Sequence, residues 1–281
     1  MSTPAEKTRD YVLGYSEMEA ERLKMQAQIV GGWTDRFFRA AGLPGAKRIL
    51  DVGCGQGDVS MLAADIAGPD ATVLGIDRDA ASIERARQRT TQMGYGDRVS
   101  FQQIDATELE AGNNAKFDAI VGRYILLYQR SAAASLGHLA KQLNSGGLMA
   151  FHELDFGATA RMGIHPPLWD QSYTLLGEGF RRGGADPGFG LHLTRAFLDA
   201  GLGWPVIRAE IPVGGEPGSY LYRWLTDTLR VILPTIEKEG LATAEELQID
   251  TLAARMEEEC ARLGCQLTGP TQYGAWVRLP G

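Results

Sequence analysis

The chain of 281 residues is 44% hydrophobic and 22% charged, which is typical of a globular protein long enough to bury a sizeable core. Its formal net charge of −7 argues against a nucleic-acid partner, because a nucleic-acid footprint needs a basic face. No apolar run approaches the roughly 20 residues of a membrane span, and the polar start "MSTPAEKTRD" is unlike a signal peptide. We therefore expect a cytoplasmic protein without a membrane or nucleic-acid partner.

The first segment predicts helices. Ser16 and Glu19 have the spacing of a capping box, and the apolar residues after them fall on one helical face. We expect Gly31 and Gly32 to end this helix, and "WTDRFFRAAG" to form a second, shorter one.

Strands and helices alternate from residue 46 to residue 155. We expect five strands, at "KRILDV", "TVLGID", "VSFQQID", "FDAIVG" and "GGLMAFHEL". The intervening helices are amphipathic; Asp79 caps one, and Leu136, Leu139, Ala140 and Leu143 line another, on whose outer side His138 should be solvated. Strands separated by helices of this length predict a parallel sheet with helices on both faces.

The pattern changes after residue 155. Residues 165–185 are rich in aromatic residues, Gly and Pro, a helix is predicted around 191–200, and "VIRAEIPV" is predicted as a strand. A mostly helical insertion follows, with a second capping box at Thr243 and Glu246, and it ends at Gly264. "QYGAWVRL" predicts the last strand.

The turn after the first strand, in "RILDVGCGQGDVSML", is rich in glycine. Gly53, Gly55 and Gly57 stand between a strand and a helix, where backbone N–H groups can approach a nucleotide-like ligand. Their Gly-x-Gly-x-Gly spacing differs from the Gly-x-Gly-x-x-Gly fingerprint of dinucleotide-binding oxidoreductases. Cys54 fills this turn as a small side chain, and with Cys260 and Cys265 it forms neither a zinc motif nor a disulfide framework.

Three acidic residues stand at consecutive strand ends. Asp51 precedes the glycine turn, Asp77 closes the second strand and Asp105 follows the third. In an open parallel sheet a ligand lies beyond these carboxyl ends. We expect Asp77 to take the hydroxyls of a ribose and Asp105, or its backbone, to receive an adenine amino group.

With these residues in place, the chain resembles the class I S-adenosylmethionine-dependent methyltransferases. The matching motifs are "LDVGCGQGDVS", "GIDRD", "IDATEL", "FDAIVGRYILLY" and "LNSGGLMAFHEL". The resemblance implies a Rossmann-like α/β fold whose seven-stranded, mostly parallel sheet has an antiparallel last strand. It also implies a helical lid at residues 1–45, a cofactor domain at 46–216 and 264–281, and a helical insertion at 217–263 beside the substrate.

The cofactor implied by this resemblance is S-adenosyl-L-methionine. Its expected contacts are Tyr11, Asp51, Gly53, Gly55, Asp77, Arg78, Asp105, Ala106 and Arg123, with Tyr15 as a further residue of the lid. Arg123 departs from the small or amide residue that is usual there. Its side chain could hold an anionic substrate group or form a salt bridge with a neighbouring acid.

The segment "FHELDFG" leaves the fifth strand beside the expected cofactor sulfur. His152 is the first candidate for a catalytic base, and Glu153 is the alternative, as a base or as the partner that orients the imidazole. Strand alternation turns only one of them toward a pocket. A metal-assisted reaction is not expected, because the fourth strand ends in Gly122 and Arg123 rather than in acids.

Aromatic residues outside the sheet should form the substrate pocket. The predicted contacts are Trp33, Phe37, Trp169, Tyr173 and Trp224, with Phe180 and Tyr220 as further walls. They predict a flat or apolar small-molecule acceptor, methylated on oxygen more readily than on carbon or nitrogen. The alternative is a relative that binds the cofactor but catalyses a rearrangement or acts as a scaffold. Exposed apolar residues of the lid would allow a homodimer.

Overall fold

The computed structural model describes residues 17–110, 116–157 and 166–281, with side chains from residue 29 onward. The predictions for Tyr11, Tyr15 and the capping box at Ser16 lie outside these described residues.

A seven-stranded sheet forms the centre of the protein, in the order β3-β2-β1-β4-β5-β9-β6. All strands are parallel except β9, which runs antiparallel between β5 and β6. The strands are β1 (Arg48–Val52), β2 (Thr72–Asp77), β3 (Val99–Gln103), β4 (Phe117–Arg123), β5 (Leu143–Asp155), β6 (Val206–Glu210) and β9 (Thr271–Arg278). The predicted sheet with an antiparallel last strand is therefore confirmed.

Two short strands form a separate two-stranded sheet. They are β7 (Val213–Gly214) and β8 (Leu267–Thr268), which are antiparallel. The prediction of one strand over residues 206–213 is thus wrong beyond Glu210. Pro212, which has no N–H to donate, separates β6 from β7.

Nine α-helices surround the sheet in the described residues. They are α1 (Glu17–Ala41), α2 (Asp58–Ala67), α3 (Ala80–Gln92), α4 (Ala132–Ala140), α5 (Pro167–Arg182), α6 (Leu193–Asp199), α7 (Tyr220–Lys238), α8 (Ala244–Leu247) and α9 (Leu252–Leu263). Short 3₁₀ turns occupy Leu126–Tyr128 and Phe189–His192. The expected Asp79 cap of α3 and the Thr243–Glu246 capping box of α8 are both confirmed.

Helix α1 is continuous, so the predicted break at Gly31 and Gly32 is wrong. A glycine inside a helix costs about 1 kcal/mol relative to alanine. Burial of Val30, Phe37 and Phe38 against the rest of the protein offsets that cost. Tertiary packing, rather than local propensity, decides the length of this helix.

Helix α5 lies in the segment for which the sequence predicted no element. Its buried residues Trp169, Tyr173, Leu176 and Phe180 recur at helical spacing, a signal that the glycines obscured. Gly179 is required by packing, because a Cβ there would lie 2.7 Å from the Ile232 side chain of α7. Leu143 was expected in a helix but begins β5, where it pairs with Phe117.

The two faces of the sheet pack against different layers. Ile49, Val73 and Ala150 face a core that includes Phe38 and Leu43, at the end of α1 and just beyond it. Leu50, Ile120 and Phe151 face the opposite core, formed with α4, α5, α6 and α7. Strand alternation therefore sends His152 toward α1 and Glu153 toward the opposite layer.

Candidate functional site

The glycine turn between β1 and α2 is a loop of left-handed backbone. Gly53, Gly55 and Gly57 have φ values of 65°, 50° and 84°, which L side chains rarely adopt. A Cβ on Gly53 would lie 2.0 Å from Cδ1 of Ile125, whereas a Cβ on Gly55 would meet no heavy atom within 4 Å. The loop is closed by Ile125 at Gly53 and open at Gly55.

Asp77, at the end of β2, holds this loop in place. Its Oδ2 accepts a hydrogen bond from Gly55 N at 3.0 Å, and its Oδ1 accepts one from Asp79 N at 2.9 Å. Burial raises the pKa of this carboxyl, while the two N–H donors oppose the rise. Each oxygen keeps a second lone pair that can accept from a ligand hydroxyl.

Asp51, at the end of β1, is a buried carboxyl with an unsatisfied oxygen. Ser60 Oγ donates to its Oδ2 at 2.6 Å, and Oδ1 has no hydrogen-bond partner among the described residues. Burial raises the pKa of Asp51 to about 7, against the lowering effects of Ser60 and the positive charge of Arg123. An unsatisfied buried acceptor is costly, so this atom is suited to a cationic or N–H donor of a ligand.

The third acidic residue, Asp105, supports its own turn. Its Oδ1 accepts from Thr107 N at 2.9 Å and from Thr107 Oγ1 at 2.8 Å, which fixes the backbone around Ala106. Gln103 Nε2 donates to Arg78 O at 3.2 Å, so the expected adenine and ribose segments are directly joined.

Arg89 of α3 supports the glycine loop from outside and was not expected from the sequence. Its guanidinium donates to Gln56 O at 2.9 Å and forms a salt bridge of 2.8 Å with Asp58. An arginine in the last turn of an amphipathic helix carries no local signal of this contact. It ties α3 to the loop at the start of α2.

Arg123 and His152 lie at equivalent positions of β4 and β5 and meet at Thr34 of α1. Arg123 Nη1 donates to Thr34 Oγ1 at 3.3 Å, and His152 Nδ1 lies 2.9 Å from the same oxygen. Within the described residues, Arg123 has no acidic partner within salt-bridge distance. Thr34 was also missed from the sequence, where it is one polar residue inside an aromatic helix.

The imidazole of His152 is fully buried and uses both nitrogens. Gln272 Nε2 donates to Pro270 O, which turns its Oε1 toward His152 Nε2 at 2.9 Å and toward the hydroxyl of Tyr124. His152 Nε2 therefore carries a proton, and Nδ1 is an acceptor for the single proton of Thr34 Oγ1, for which Val30 O at 3.1 Å competes. Burial and the charge of Arg123 lower the pKa of His152 to about 3, so the ring is neutral. A role as base would require Thr34 to release Nδ1.

Glu153 lies on the other face of β5 and holds the segment after β4. Its Oε1 accepts from Ile125 N at 2.9 Å and from Leu126 N at 2.8 Å. Its Oε2 is buried without a hydrogen-bond partner among the described residues. Burial raises the pKa of Glu153 to about 8, against the effect of these donors. Because Ile125 packs on Gly53, Glu153 acts on the glycine loop through Ile125.

Several predicted substrate residues converge just beyond β5. Phe156 stacks on Trp224 with ring centroids 6.3 Å apart and contacts Tyr173 at 5.7 Å and Phe180 at 5.2 Å. Trp169 stacks on Tyr173 at 5.8 Å. We call these five residues the aromatic cluster.

Phe37 lies elsewhere, edge-on to His152 at 5.0 Å, and Trp33 is half-buried on α1. His138 is half-buried on α4, and its Nε2 lies 2.9 Å from Leu109 O. No group of three or more His, Cys, Asp or Glu residues suited to a metal ion occurs in the described ranges. None of the described helices is both long and apolar enough to cross a membrane.

The residues at these strand ends fit an adenosyl amino-acid cofactor. Asp77 offers acceptors for ribose hydroxyls, Gly55 leaves its side of the loop open, and Asp51 Oδ1 is an unsatisfied acceptor for an ammonium group. Asp51 and Asp77 lie on the neighbouring strands β1 and β2.

Comparison with known proteins agrees with this geometry. Residues 44–173 match the family model described as a methyltransferase domain. Aklanonic acid methyltransferase DauC of Streptomyces sp. (strain C5) is 34% identical over 105 residues, which cover 37% of this chain and 47% of that protein. Methyltransferase str3 of Strobilurus tenacellus is 25% identical over 255 residues, covering 90% of this chain and 86% of that protein. The chain spans about half the length of the first relatives it matches, with shares of 47%, 59% and 48%.

Solved structures share the fold at low sequence identity. The [4+2]-cyclase SpnF has a TM-score of 0.53 and 20% identity, and the match covers 90% of this chain and 82% of that chain. A geranyl diphosphate methyltransferase in complex with SAM has a TM-score of 0.50 and 16% identity, and covers 95% of both chains. Both likenesses concern the arrangement of the backbone.

Proposed function

We propose that the chain, whose residues 44–173 match a methyltransferase domain, is a class I methyltransferase that transfers a methyl group from S-adenosyl-L-methionine to a small-molecule acceptor. We further propose that the cofactor lies on residues 46–216 and 264–281. Residues 1–45 and 217–263 would cover the acceptor. Oxygen is the proposed acceptor atom ahead of carbon or nitrogen.

The observation that carries this proposal is the bond between Gly55 N and Asp77. Gly55 N lies 3.0 Å from Asp77 Oδ2, and this bond fixes the left-handed glycine loop beside the end of β2. The remaining lone pairs of the Asp77 carboxyl group are available to a ribose. Asp51, on the neighbouring strand, adds an unsatisfied oxygen for the amino group. Arg78, Asp105, Ala106 and Arg123 are the further proposed contacts.

The sulfonium methyl of S-adenosylmethionine is already activated, so the protein must chiefly orient the acceptor and exclude water. Arg123 places a half-buried positive charge beside Thr34 at the end of β4, where it can hold an anionic acceptor group. His152 keeps its proposed role as base, whereas Glu153 faces the opposite layer and binds Ile125 N and Leu126 N, so Thr34 and Gln272, and not Glu153, orient the imidazole. The five residues of the aromatic cluster and Phe37 are buried in the core, and Trp33 on α1 is half-buried, so an apolar or flat acceptor remains a proposal from the composition of this region.

Calorimetric titration with S-adenosylmethionine tests the cofactor assignment. We expect one-to-one binding by the native chain. Asp77→Ala should weaken it roughly 10- to 100-fold, because hydrogen bonds to a charged group contribute about 1.5–3 kcal/mol. Asp70→Ala is the matched control, since this exposed aspartate precedes the same strand at its opposite end and binds Lys47. Equal affinity of the native chain and Asp77→Ala would overturn the ribose assignment.

Product analysis separates methyl transfer from the alternative reaction. With a panel of phenols and hydroxylated apolar compounds, a methyltransferase releases S-adenosylhomocysteine in step with methylated product. A rearranging enzyme or a scaffold would retain the cofactor unchanged. The fold occurs in a cyclase as well as in methyltransferases, so it does not choose between these reactions.

A further inference from the structure

Strand β6 ends the seven-stranded sheet and pairs on one side only, with β9. Eight large hydrophobic side chains are exposed in the described ranges, and five of them fall within residues 204–213. These five are Trp204 (78% exposed), Val206 (53%), Ile207 (36%), Ile211 (44%) and Val213 (54%). Exposed apolar residues scattered singly are ordinary, but a concentration along one sheet edge marks an interaction surface.

The edge has only part of the protection that usually prevents strand pairing, because its charged residues, Arg208 and Glu210, are of opposite sign and can pair with each other across two copies. Natural edge strands are protected by lysines, prolines or bulges within the strand. Here Pro205 and Pro212 flank the edge, and the six residues between them contain no lysine and keep their N–H groups. We propose that β6 is a dimerisation edge, at which a second copy of this chain pairs antiparallel about a two-fold axis.

The sequence of the edge selects one register. A two-fold axis perpendicular to the sheet keeps each face on the same side, so a residue must lie opposite one of the same parity. An axis at Arg208 would set two arginines against each other, which is destabilising. An axis at Ala209 instead sets Arg208 opposite Glu210 of the second copy, and the same pair recurs by symmetry.

The register about Ala209 satisfies both faces of the sheet. On one face, each Arg208 meets a Glu210, whose Oε1 already accepts from Arg36 Nε at 2.9 Å and which keeps lone pairs for a second donor. On the other face, the two Ala209 side chains lie opposite each other, and Ile207 approaches Ile211 of the second copy, which directly follows the end of β6. Charge and apolar surface are therefore both self-complementary, as a two-fold interface requires.

Disulfide trapping tests the register directly. Ala209→Cys brings two thiols to the axis, directly opposite each other, and should give a cross-linked dimer under mild oxidation with copper phenanthroline. Ile207→Cys is the matched control, because its own copy lies four residues along the partner strand, about 13 Å away. We expect several-fold more dimer from Ala209→Cys than from Ile207→Cys or the native chain. Equal cross-linking of the two variants would overturn this register.

Sedimentation velocity over a concentration series tests the dimer itself. The native chain should approach twice the mass of one chain as its concentration rises. Ile207→Lys should remain monomeric, whereas Met93→Lys, at an exposed site on another part of the surface, should dimerise normally. Circular dichroism checks that each variant is folded. A native chain that stays monomeric throughout, or an Ile207→Lys variant that dimerises like the native chain, would overturn the proposal.

Discussion

The glycine loop and the polar network around His152 lie at neighbouring strand ends, but they are assembled over different distances along the chain. Asp77 reaches Gly55 across 22 residues. His152 reaches Thr34 across 118 residues and Gln272 across 120. The loop is a local device in which a strand, a turn and a helix follow one another. The network joins α1, β4, β5 and β9, and no short motif encodes it.

The glycine loop also depends on one residue that is distant along the chain, Ile125. Gly53 has the left-handed φ that a turn requires, as Gly55 does, but only Gly53 is covered by Ile125. Ile125 in turn is held by Glu153 through its backbone N–H. The sequence therefore shows the spacing of the glycines. That Gly53 tolerates no side chain follows only from its packing against Ile125.

The largest expected effect comes from placing a side chain at Gly53, where Ile125 covers the glycine loop. Gly53→Ala and Gly55→Ala should each lose about 1 kcal/mol or more of unfolding free energy through their left-handed backbone. Gly53→Ala should lose about 1–3 kcal/mol beyond that, because its Cβ collides with Ile125. Urea unfolding of both variants measures the difference. Adding Ile125→Ala to Gly53→Ala should restore part of the loss, and equal losses in the two glycine variants would contradict this account.

A loss of similar size should follow from breaking the polar network around His152 while keeping the volume of the side chain. His152→Phe leaves Thr34 and Gln272 without their buried partner and should cost about 2–4 kcal/mol of unfolding free energy. Thr34→Val removes one of these bonds and should cost about half as much. If His152 served only as a base, His152→Phe would lower methyl transfer and leave the unfolding curve unchanged.

Most of the fold was predictable, because its strands are separated by amphipathic helices with clear punctuation. The errors share a physical cause. The continuity of α1 through Gly31 and Gly32 and the existence of α5 both depend on burial against other elements, which overrides local glycine content. The end of β6 at Glu210 depends on the pairing of Val213 with β8, near the far end of the chain.

The residues of the candidate site also fall into those that local sequence predicts and those that depend on contacts between distant elements. Asp51, Asp77 and the glycines were identified because consecutive strand ends meet at one edge of a parallel sheet. Thr34, Arg89, Tyr124 and Gln272 were not, because each acts through a partner from another element. Trp169, Tyr173 and Trp224 were expected together and do form one cluster, but Phe156, at its centre, gave no separate signal.

The last predicted effect concerns Glu153 and depends on pH. Its pKa is about 8 in the folded protein against an ordinary value of 4.5, so between these values the folded state holds a proton that the unfolded state has released. The corresponding stability is present below pH 4.5 and is lost as the pH rises toward 8. Glu153→Gln removes this dependence, so the variant should gain stability relative to the native chain between pH 5 and pH 8.

Urea unfolding at the two pH values measures that gain. Glu178→Gln is the matched control, because Glu178 is bound by Arg182 and its pKa is lowered instead. That variant should show no gain at pH 8. A Glu153→Gln variant that keeps the same stability difference from the native chain at both pH values would mean that Glu153 is already ionised in the folded state. The N–H groups of Ile125 and Leu126 would then outweigh the effect of burial on the pKa of Glu153.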